Sequence, residues 1–193
     1  MSGWSEVTRP VLFLIDYENM RYTPKHAFRS PPVDFSPLGF SQLIVSRRNI
    51  ASHVLQVRVY RGMSNLDIEP ERAGRDESRV NRWERDKRVV AVTRSLHYKR
   101  VNGLRVGYEK GIDVALAVDL IRFAHSDIDA DVVVASRDSD LNPALEAHVE
   151  ADRLRRRIEV VSSRTVERLR LWNSQKPWCH FISKEDFELI RED

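Results

Sequence analysis

The sequence predicts an α/β fold: one domain built around a central, mostly parallel sheet flanked by helices. Short apolar runs alternate with segments of helical periodicity, which is the pattern of parallel strands joined by crossover helices. Two of these runs, VLFLID at 11–16 and DVVVAS at 131–136, are apolar almost throughout, as in strands buried on both faces of a sheet. The length of 193 residues and the hydrophobic fraction of 41% fit a single domain with a sizeable core.

The first half of the chain is predicted to form two strands, a loop and two helices. After the strand at 11–16, a loop is predicted at 21–37, because this segment is rich in proline. Apolar residues at helical spacing predict a helix at 38–52, and the alternating segment 54–62 predicts a second strand. A charged helix is predicted at 70–88, where intermixed acids and arginines favour a solvated face with ion pairs one turn apart.

The second half continues the alternation. Residues 89–96 predict a third strand, and Asn102 and Gly103 between β-prone arms predict a hairpin over 97–108. The remaining elements are a buried helix, a strand, a helix with Pro143 in its first turn, two further strands and a terminal helix. These are predicted, in that order, at 110–126, 131–136, 140–151, 157–163, 179–183 and 184–190.

Composition excludes several classes of protein. Residues 1–10 are expected to be a tail before the domain at 11–193, and they lack the apolar core of a signal peptide. No apolar stretch is long enough for a membrane span, and the single cysteine, Cys179, forms no internal disulfide, so a soluble, cytoplasmic protein is expected. All but six of the 32 basic residues are arginines. This bias favours phosphate contact, but a GC-rich genome produces it too.

Acidic side chains follow two of the apolar strands at the point where each strand ends. Asp16 closes the first strand and Asn19 lies one turn further, while Asp138 and Asp140 follow the strand DVVVAS. The carboxyl ends of parallel strands meet at one edge of a sheet, where α/β proteins form their sites. We therefore expect these side chains to gather at that edge.

A third acidic segment is the predicted helix that begins KGID. Asp113 lies in its first turn, and Asp119, six residues later, is expected to be supporting or structural because the two do not share one helical face closely. Gathered acids repel one another unless cations neutralise them, and oxygen ligands alone suit Mg²⁺ or Mn²⁺, which promote phosphodiester cleavage. Simpler roles also fit: Asp138 or Asp140 as a helix cap, and Asp113 as a partner of the helix dipole.

Three sequence blocks resemble the signature of a known family. LIDYENM, KGIDVALAVDLI and VVVASRDSDLNPAL are similar, in order and separation, to the blocks of the NYN domain, a branch of the PIN-like ribonuclease superfamily that includes LabA-type proteins. The blocks lie within residues 11–162, and a C-terminal strand and helix follow at 178–191. The resemblance implies a PIN-like domain, Mg²⁺- or Mn²⁺-dependent ribonuclease activity, and single-stranded or structured RNA as the substrate. A homo-oligomer is compatible with it.

The resemblance also implies roles for individual residues. The expected catalytic residues are Asp16, Asn19, Asp113, Asp138 and Asp140. Of these, Asp16, Asp113 and Asp138 are the expected metal ligands, and Asn19 is expected to orient a ligand or the scissile phosphate. The residues expected to support the site are Ser136, Asp119 and Lys110.

One position departs from the family pattern, since Arg137 stands where glycine is usual. Arginine there implies a different backbone angle or a direct contact with substrate phosphate. Other basic residues are expected to contact RNA phosphates around the site. The expected nucleic-acid-binding residues are Arg137, Lys110, Arg21, Lys25, Arg100 and Arg155. Tyr17, Tyr22 and Tyr98 are candidates for base stacking, although core packing explains each of them better.

Two other functions fit part of the pattern. A non-catalytic module that binds RNA or a protein is favoured by Arg137 and the many arginines, but it has no need for repelling acids. An aspartate that ends the first strand also occurs in phosphatases of the haloacid-dehalogenase type. That chemistry normally needs a second aspartate two residues later, where this chain has Glu18.

Overall fold

Strands and crossover helices alternate along the chain in the computed structural model, which describes residues 8–171 and 177–192. The strands are β1 (Arg9–Asp16), β2 (Ser52–Met63), β3 (Val89–Ser95), β4 (His97–Val101), β5 (Leu104–Tyr108), β6 (Asp131–Ala135), β7 (Ile158–Ser162) and β8 (Trp178–Phe181). The helices are α1 (Tyr17–Arg21), α2 (Thr23–Phe28), α3 (Pro37–Ser46), α4 (Pro70–Trp83), α5 (Ile112–Ala124), α6 (Asn142–Ala151) and α7 (Lys184–Leu189). In this part of the chain no helix has the length and apolar character needed to cross a membrane.

Six of the strands form one parallel sheet in the order β3–β2–β1–β6–β7–β8. From β1 the chain moves outward through β2 to β3, and it later moves outward on the other side through β6 and β7 to β8. Because the direction of winding reverses between β1 and β6, a crevice opens beyond their carboxyl ends. The predicted α/β fold is therefore confirmed, and the ends of β1 and β6 lie side by side.

Successive side chains of β1 point to opposite faces of the sheet and enter two apolar cores. Phe13 packs on the face covered by α3 and α4, with Ile44 and Trp83, whereas Leu14 packs on the face covered by α5, with Leu116. Phe13 and Leu14 are fully buried. Burial on both faces explains why the VLFLI segment is apolar throughout until the chain reaches the edge of the sheet.

Several predicted element bounds are wrong. The predicted loop at 21–37 contains α2, which accommodates Pro24 in its first turn, where the missing N–H breaks no helical hydrogen bond. The predicted helices at 38–52 and 70–88 end early, at Ser46 and Trp83, because the residues beyond them are mainly polar and offer no apolar face to bury. Arg9 and Pro10 of the predicted tail belong to β1, and its residues 1–7 lie outside the described residues.

The predicted hairpin is confirmed and stands apart from the main sheet. Strands β4 and β5 pair antiparallel, and Asn102 and Gly103 have φ angles of 50° and 81°, as a tight two-residue hairpin turn requires. The Tyr98 hydroxyl secures its base: it accepts a hydrogen bond from the backbone of Asn65 at 2.9 Å and donates one to Glu69 at 2.7 Å. The hairpin follows the carboxyl end of β3 and leads into the segment before α5.

Candidate functional site

A cavity of about 540 Å³, here called the acidic cavity, lies beside the carboxyl ends of β1 and β6. Asp16 comes from the end of β1, Asp113 from the first turn of α5 and Asp138 from the loop after β6. The residues that line the cavity are Asp16, Glu18, Asn19, Tyr22, Glu109, Lys110, Gly111, Ile112, Asp113 and Asp138. The structure thus brings together the three acids that the sequence analysis placed in separate segments.

Asp16 is the most buried acid of the cavity, with 7% of its surface exposed. Its Oδ1 accepts a hydrogen bond from the backbone of Asn19 at 3.3 Å and so caps α1, while its Oδ2 accepts one from the Ser136 hydroxyl at 3.0 Å. Burial raises the pKa of Asp16 to about 7, and the Glu109 carboxylate adds to this effect. The two hydrogen bonds oppose the shift without cancelling it. Asp16 is therefore a buried acid whose charged form is stabilised less by its surroundings than it would be in water.

Asp138 both caps a turn and lines the acidic cavity. Its Oδ1 accepts a hydrogen bond from the backbone of Asp140 at 3.0 Å, which begins a short 3₁₀ turn, Ser139–Leu141. The Asp138 backbone N–H donates to the Ser136 hydroxyl at 3.1 Å. Ser136 therefore joins the two acids, because the same oxygen donates to Asp16. Asp140 itself is exposed and does not line the cavity.

Arg137 is accommodated without the backbone conformation that favours glycine, since it does not adopt a positive φ. Its backbone N–H donates to Oδ1 of Asn19 at 3.0 Å, and its Nη2 donates to the backbone oxygen of Asn19 at 3.2 Å. Burial lowers the pKa of the guanidinium, although Asp16 opposes this shift. The guanidinium is thus held against α1, and the Asn19 amide oxygen anchors the loop that carries Asp138.

The segment before α5 supplies the opposite wall of the acidic cavity. Gly111 precedes the helix with φ of 74°, a conformation that L side chains adopt with strain. This turn brings exposed Lys110 and half-buried Asp113 to the same cavity. Among the described lining residues, Lys110 alone carries a positive charge, so the acids outnumber the cations.

Glu109 lines the cavity as well, and the sequence analysis missed it. Its Oε1 accepts a hydrogen bond from the backbone N–H of Gly62 at the end of β2. Burial raises the pKa of Glu109, and this hydrogen bond opposes the shift. A Cβ on Gly62 would lie 2.8 Å from Cγ of Glu109, so glycine is needed for the close approach. The one available signal was its position directly before the KGID block.

Asp119 lies away from the acidic cavity, further along α5. Its Oδ2 accepts hydrogen bonds from Nη2 of Arg58 at 2.8 Å and from the Tyr60 hydroxyl at 2.9 Å. Burial and then the Asp119 carboxylate raise the pKa of Tyr60. The structure therefore places Asp119 in the contact between α5 and β2, because its helical position turns it away from Asp113.

The predicted RNA-contacting residues are spread over several surfaces. Arg21 is ion-paired and lines a neighbouring cavity. Lys25 lies 5.9 Å from the centre of the Tyr22 ring, which lines the acidic cavity. Arg100 is exposed on the hairpin. Arg155 lines a cavity at the opposite edge of the sheet, where β7 and β8 begin, and so it does not rim the acidic cavity.

The donors of the acidic cavity fit a hard cation in their chemistry. They are carboxylate oxygens, the ligands preferred by Mg²⁺ and Mn²⁺, and burial together with the neighbouring Glu109 and Asp138 carboxylates raises the pKa of Asp16. Across residues 8–171 and 177–192, no three acids, histidines or cysteines form a ready-made group of metal ligands. The fit is therefore one of donor type and charge.

Comparisons with known proteins agree with the fold and with the sequence blocks. The family model of the NYN domain matches residues 10–171. No curated protein matches the sequence significantly. A crystal structure of a protein of unknown function from Vibrio parahaemolyticus has a similar fold, with a TM-score of 0.54 and 20% sequence identity over 86% of this chain and 88% of that chain. NYN domains are PIN-like and typically ribonucleases. Because the family model covers most of its length, this chain belongs to the NYN domain family.

Proposed function

We propose that the protein is a metal-dependent endoribonuclease that hydrolyses phosphodiester bonds of RNA. The acidic cavity carries this proposal, because acids from three separate segments line one space at the carboxyl edge of the sheet. A site that only binds RNA gains nothing from acids that repel phosphate. Membership of a nuclease-type family supports the same assignment.

Asp16, Asp113 and Asp138 would hold Mg²⁺ or Mn²⁺, and Glu18 and Glu109 line the same cavity. When bound, such an ion supplies an activated water and stabilises the leaving oxygen. In the balanced reaction, water adds to phosphorus, the bond from phosphorus to the 3′ oxygen breaks, and that oxygen receives a proton. The expected products carry 5′-phosphate and 3′-hydroxyl ends.

The other residues of the site would position these acids and the RNA. Ser136 orients Asp16 through its hydroxyl, and Asn19 holds the loop of Asp138 through the Arg137 backbone. Asp140 would support the site through its backbone N–H. Lys110 would contact a phosphate, as predicted for an exposed cation at the cavity.

Tyr22 would stack on an unpaired base. Of the three tyrosines considered from the sequence, Tyr17 is buried among Phe35 and Trp83 and the Tyr98 hydroxyl is engaged at the hairpin base. Tyr22 has 37% of its surface exposed and lines the acidic cavity. Stacking on an exposed ring tolerates any base, which suits contact with single-stranded RNA.

The test is incubation with labelled RNA and DNA, with and without Mn²⁺, followed by analysis of product ends. Asp16→Asn and Asp138→Asn are expected to reduce RNA cleavage to background while retaining a cooperative thermal transition. Asp129→Asn is the matched control, since Asp129 is exposed at the amino edge of the sheet and its substitution should leave the rate unchanged.

Two results would contradict the assignment: full activity in excess EDTA, or full activity of Asp138→Asn. Tight RNA binding without metal-dependent cleavage would instead favour the non-catalytic binding module. Equal cleavage of RNA and DNA would widen the substrate class without changing the chemistry.

A further inference from the structure

A second cavity, of about 190 Å³, lies beside the acidic cavity and is here called the arginine cavity. Glu18 lines both cavities, which makes them neighbours. Every residue that lines the arginine cavity is charged: Glu18, Arg21, Asp34, Arg61, Arg72, Arg75, Asp76 and Arg79. Five guanidinium groups thus converge with three carboxylates on a small space.

Three of the arginines come from one side of α4. Arg72, Arg75 and Arg79 are three and four residues apart, so their side chains lie along one stripe of the helix. The sequence of this helix favours a solvated face with ion pairs one turn apart. Two pairs of that spacing are described: Arg75 with Glu71, which is long at 4.0 Å and highly exposed, and Arg72 with Glu69 at 3.2 Å. The same stripe of arginines also lines the arginine cavity.

Arg61 forms the buried floor of this cluster, with only 3% of its side chain exposed. Its Nη2 donates to Asp76 at 2.6 Å, and the guanidinium carbon lies 5.3 Å from the centre of the Tyr17 ring and 5.6 Å from that of Trp83. Its Nη1 is buried and has no hydrogen-bond partner among the residues described. Buried donors without an acceptor are rare in folded proteins, so the cluster offers more donors than its own acceptors satisfy.

Asp34 holds two of the five arginines in place: Arg79 of the α4 stripe and Arg21 of α1. Asp34 accepts a hydrogen bond from Nε of Arg21 at 2.6 Å and another from Nη2 of Arg79 at 2.8 Å. Asp34 therefore orients two guanidinium groups, and Glu18 lies 3.3 Å from Nη1 of Arg21, yet the five arginines that line the cavity outnumber its three carboxylates. Planar, fixed guanidinium forks are suited to phosphate oxygens. The volume is below the roughly 300 Å³ at which pockets for drug-sized ligands begin, so it suits a single oxyanion group rather than a whole nucleotide.

We propose that the arginine cavity is a phosphate-binding site that holds a phosphate group of the RNA strand next to the acidic cavity. The identity of the strand rests on the proposed function, whereas the charge and size of the cavity do not. A phosphate held there would be separated from the cleavage site by Glu18. Binding at this point would set which phosphodiester bond of the strand reaches Asp16.

The test measures RNA binding in EDTA, where no divalent ion is present and no cleavage is required. Fluorescence anisotropy compares wild type with Arg72→Gln/Arg75→Gln, for oligouridine carrying either a 5′-phosphate or a 5′-hydroxyl group. The control is Arg82→Gln/Arg85→Gln, which removes the same charge from exposed arginines just beyond the cavity. Thermal unfolding of each variant verifies that it is folded.

The cavity variant is expected to bind RNA at least ten times more weakly, and the control less than three times. Equal losses in both variants, or no loss in either, would overturn the proposal and identify the arginines as an ion-pair network only. A preference for the 5′-phosphate that the cavity variant loses assigns the site to a terminal phosphate. Equal affinity for both oligonucleotides, weakened equally in the cavity variant, assigns it to an internal phosphodiester.

Failure of this proposal can be distinguished from failure of the nuclease assignment. Selective loss of binding in the cavity variant, without metal-dependent cleavage by wild type, would retain the phosphate site and reject the nuclease. Metal-dependent cleavage together with normal binding by the cavity variant would retain the nuclease and reject the phosphate site.

Discussion

Buried acids occur at both edges of the sheet, in opposite electrostatic settings. At the amino edge, Nη2 of Arg48 lies 2.5 Å from Asp131 and 2.8 Å from Glu159, and all three side chains are almost completely buried. His180 contacts Glu159 at 2.7 Å. Burial opposes ionisation of Glu159, but His180 and Arg48 outweigh it, and the pKa of Glu159 is lowered.

At the carboxyl edge, Asp16 is about as buried as Glu159, but the described residues form no ion pair with it, and the nearby Arg137 guanidinium does not keep its pKa down. Its described hydrogen bonds come from the hydroxyl of Ser136 and the backbone of Asn19, and its pKa is raised to about 7. Burial alone therefore does not identify a functional acid. Breaking the buried pairs of the amino edge would leave a charge without a partner, whereas the acid buried among other acids is where we propose that a cation binds.

The largest expected effect on stability is at the amino edge, where the buried acids form ion pairs. Arg48→Ala should lower the free energy of unfolding by about 3–5 kcal/mol, because it removes the buried cation that Asp131 and Glu159 share and leaves Asp131 with Arg9 and Glu159 with His180. Urea denaturation measures this change. The control, Arg88→Ala, removes an exposed pair with Asp86 and should cost less than about 1 kcal/mol. Similar small losses of stability in both variants would show that the buried ion pairs of the amino edge contribute no more than an exposed pair.

At the carboxyl edge, replacing the buried acid should have the opposite effect and stabilise the protein. In EDTA at pH 8, Asp16→Asn should raise the free energy of unfolding by about 2–4 kcal/mol, because it removes a buried charge. The folded pKa of Asp16, about 7, lies above the reference value of 3.8, so the folded state binds more protons between these values. Wild type should therefore gain stability as the pH falls from 7 towards 4, and the benefit of the substitution should vanish there.

Thermal unfolding at pH 8, 6 and 4 measures this trend, with about 2–4 °C expected per kcal/mol. Destabilisation by Asp16→Asn at pH 8 would show that hydrogen bonding, rather than unneutralised charge, dominates at this acid.

A smaller effect on stability is expected at Gly62, whose backbone lies close to Glu109 at the acidic cavity. Gly62→Ala should lower the free energy of unfolding by about 1–3 kcal/mol, because the new methyl group collides with Leu96 and crowds Glu109. It should also slow RNA cleavage. Gly74→Ala is the control: its Cβ meets nothing within 4 Å, and in α4 it should stabilise by about 0.5–1 kcal/mol. Denaturation measures the stability of both variants, and a cleavage assay measures their activity. Equal stability and equal activity of the two variants would show that the close approach of Gly62 to Glu109 is not important.

The smallest expected effect is on RNA binding, where Lys110 at the carboxyl edge is compared with Arg155 at the amino edge. Lys110→Ala should raise the KM for RNA about two- to fivefold, because it removes the proposed contact of Lys110 with a phosphate. The slope of the logarithm of the binding constant against the logarithm of the salt concentration should become less steep by about 0.7. Arg155→Ala should change neither quantity, since Arg155 lies at the opposite edge. A larger effect of Arg155→Ala than of Lys110→Ala would indicate that RNA binds at the amino edge of the sheet.

The positions of the main acids could be predicted because they depend on local pattern. Asp16 and Asp138 each follow a run that reads as a buried strand, and parallel strands place their carboxyl ends together. Asp113 follows from the start of a helix. Glu109 could not be predicted in the same way, because its place depends on a backbone N–H of Gly62, 47 residues earlier.

The sequence by itself determined the alternation of strands and helices, the hairpin turn and the acids at the strand ends, since these depend on the spacing of neighbouring residues. Only the tertiary structure decided which charges neutralise one another. Arg48 and Asp131, 83 residues apart, become partners, while arginines of α4 gather around Arg61. The physical reason is that Coulomb interactions depend on distance and burial in the folded chain, and neither quantity is encoded in separation along the sequence.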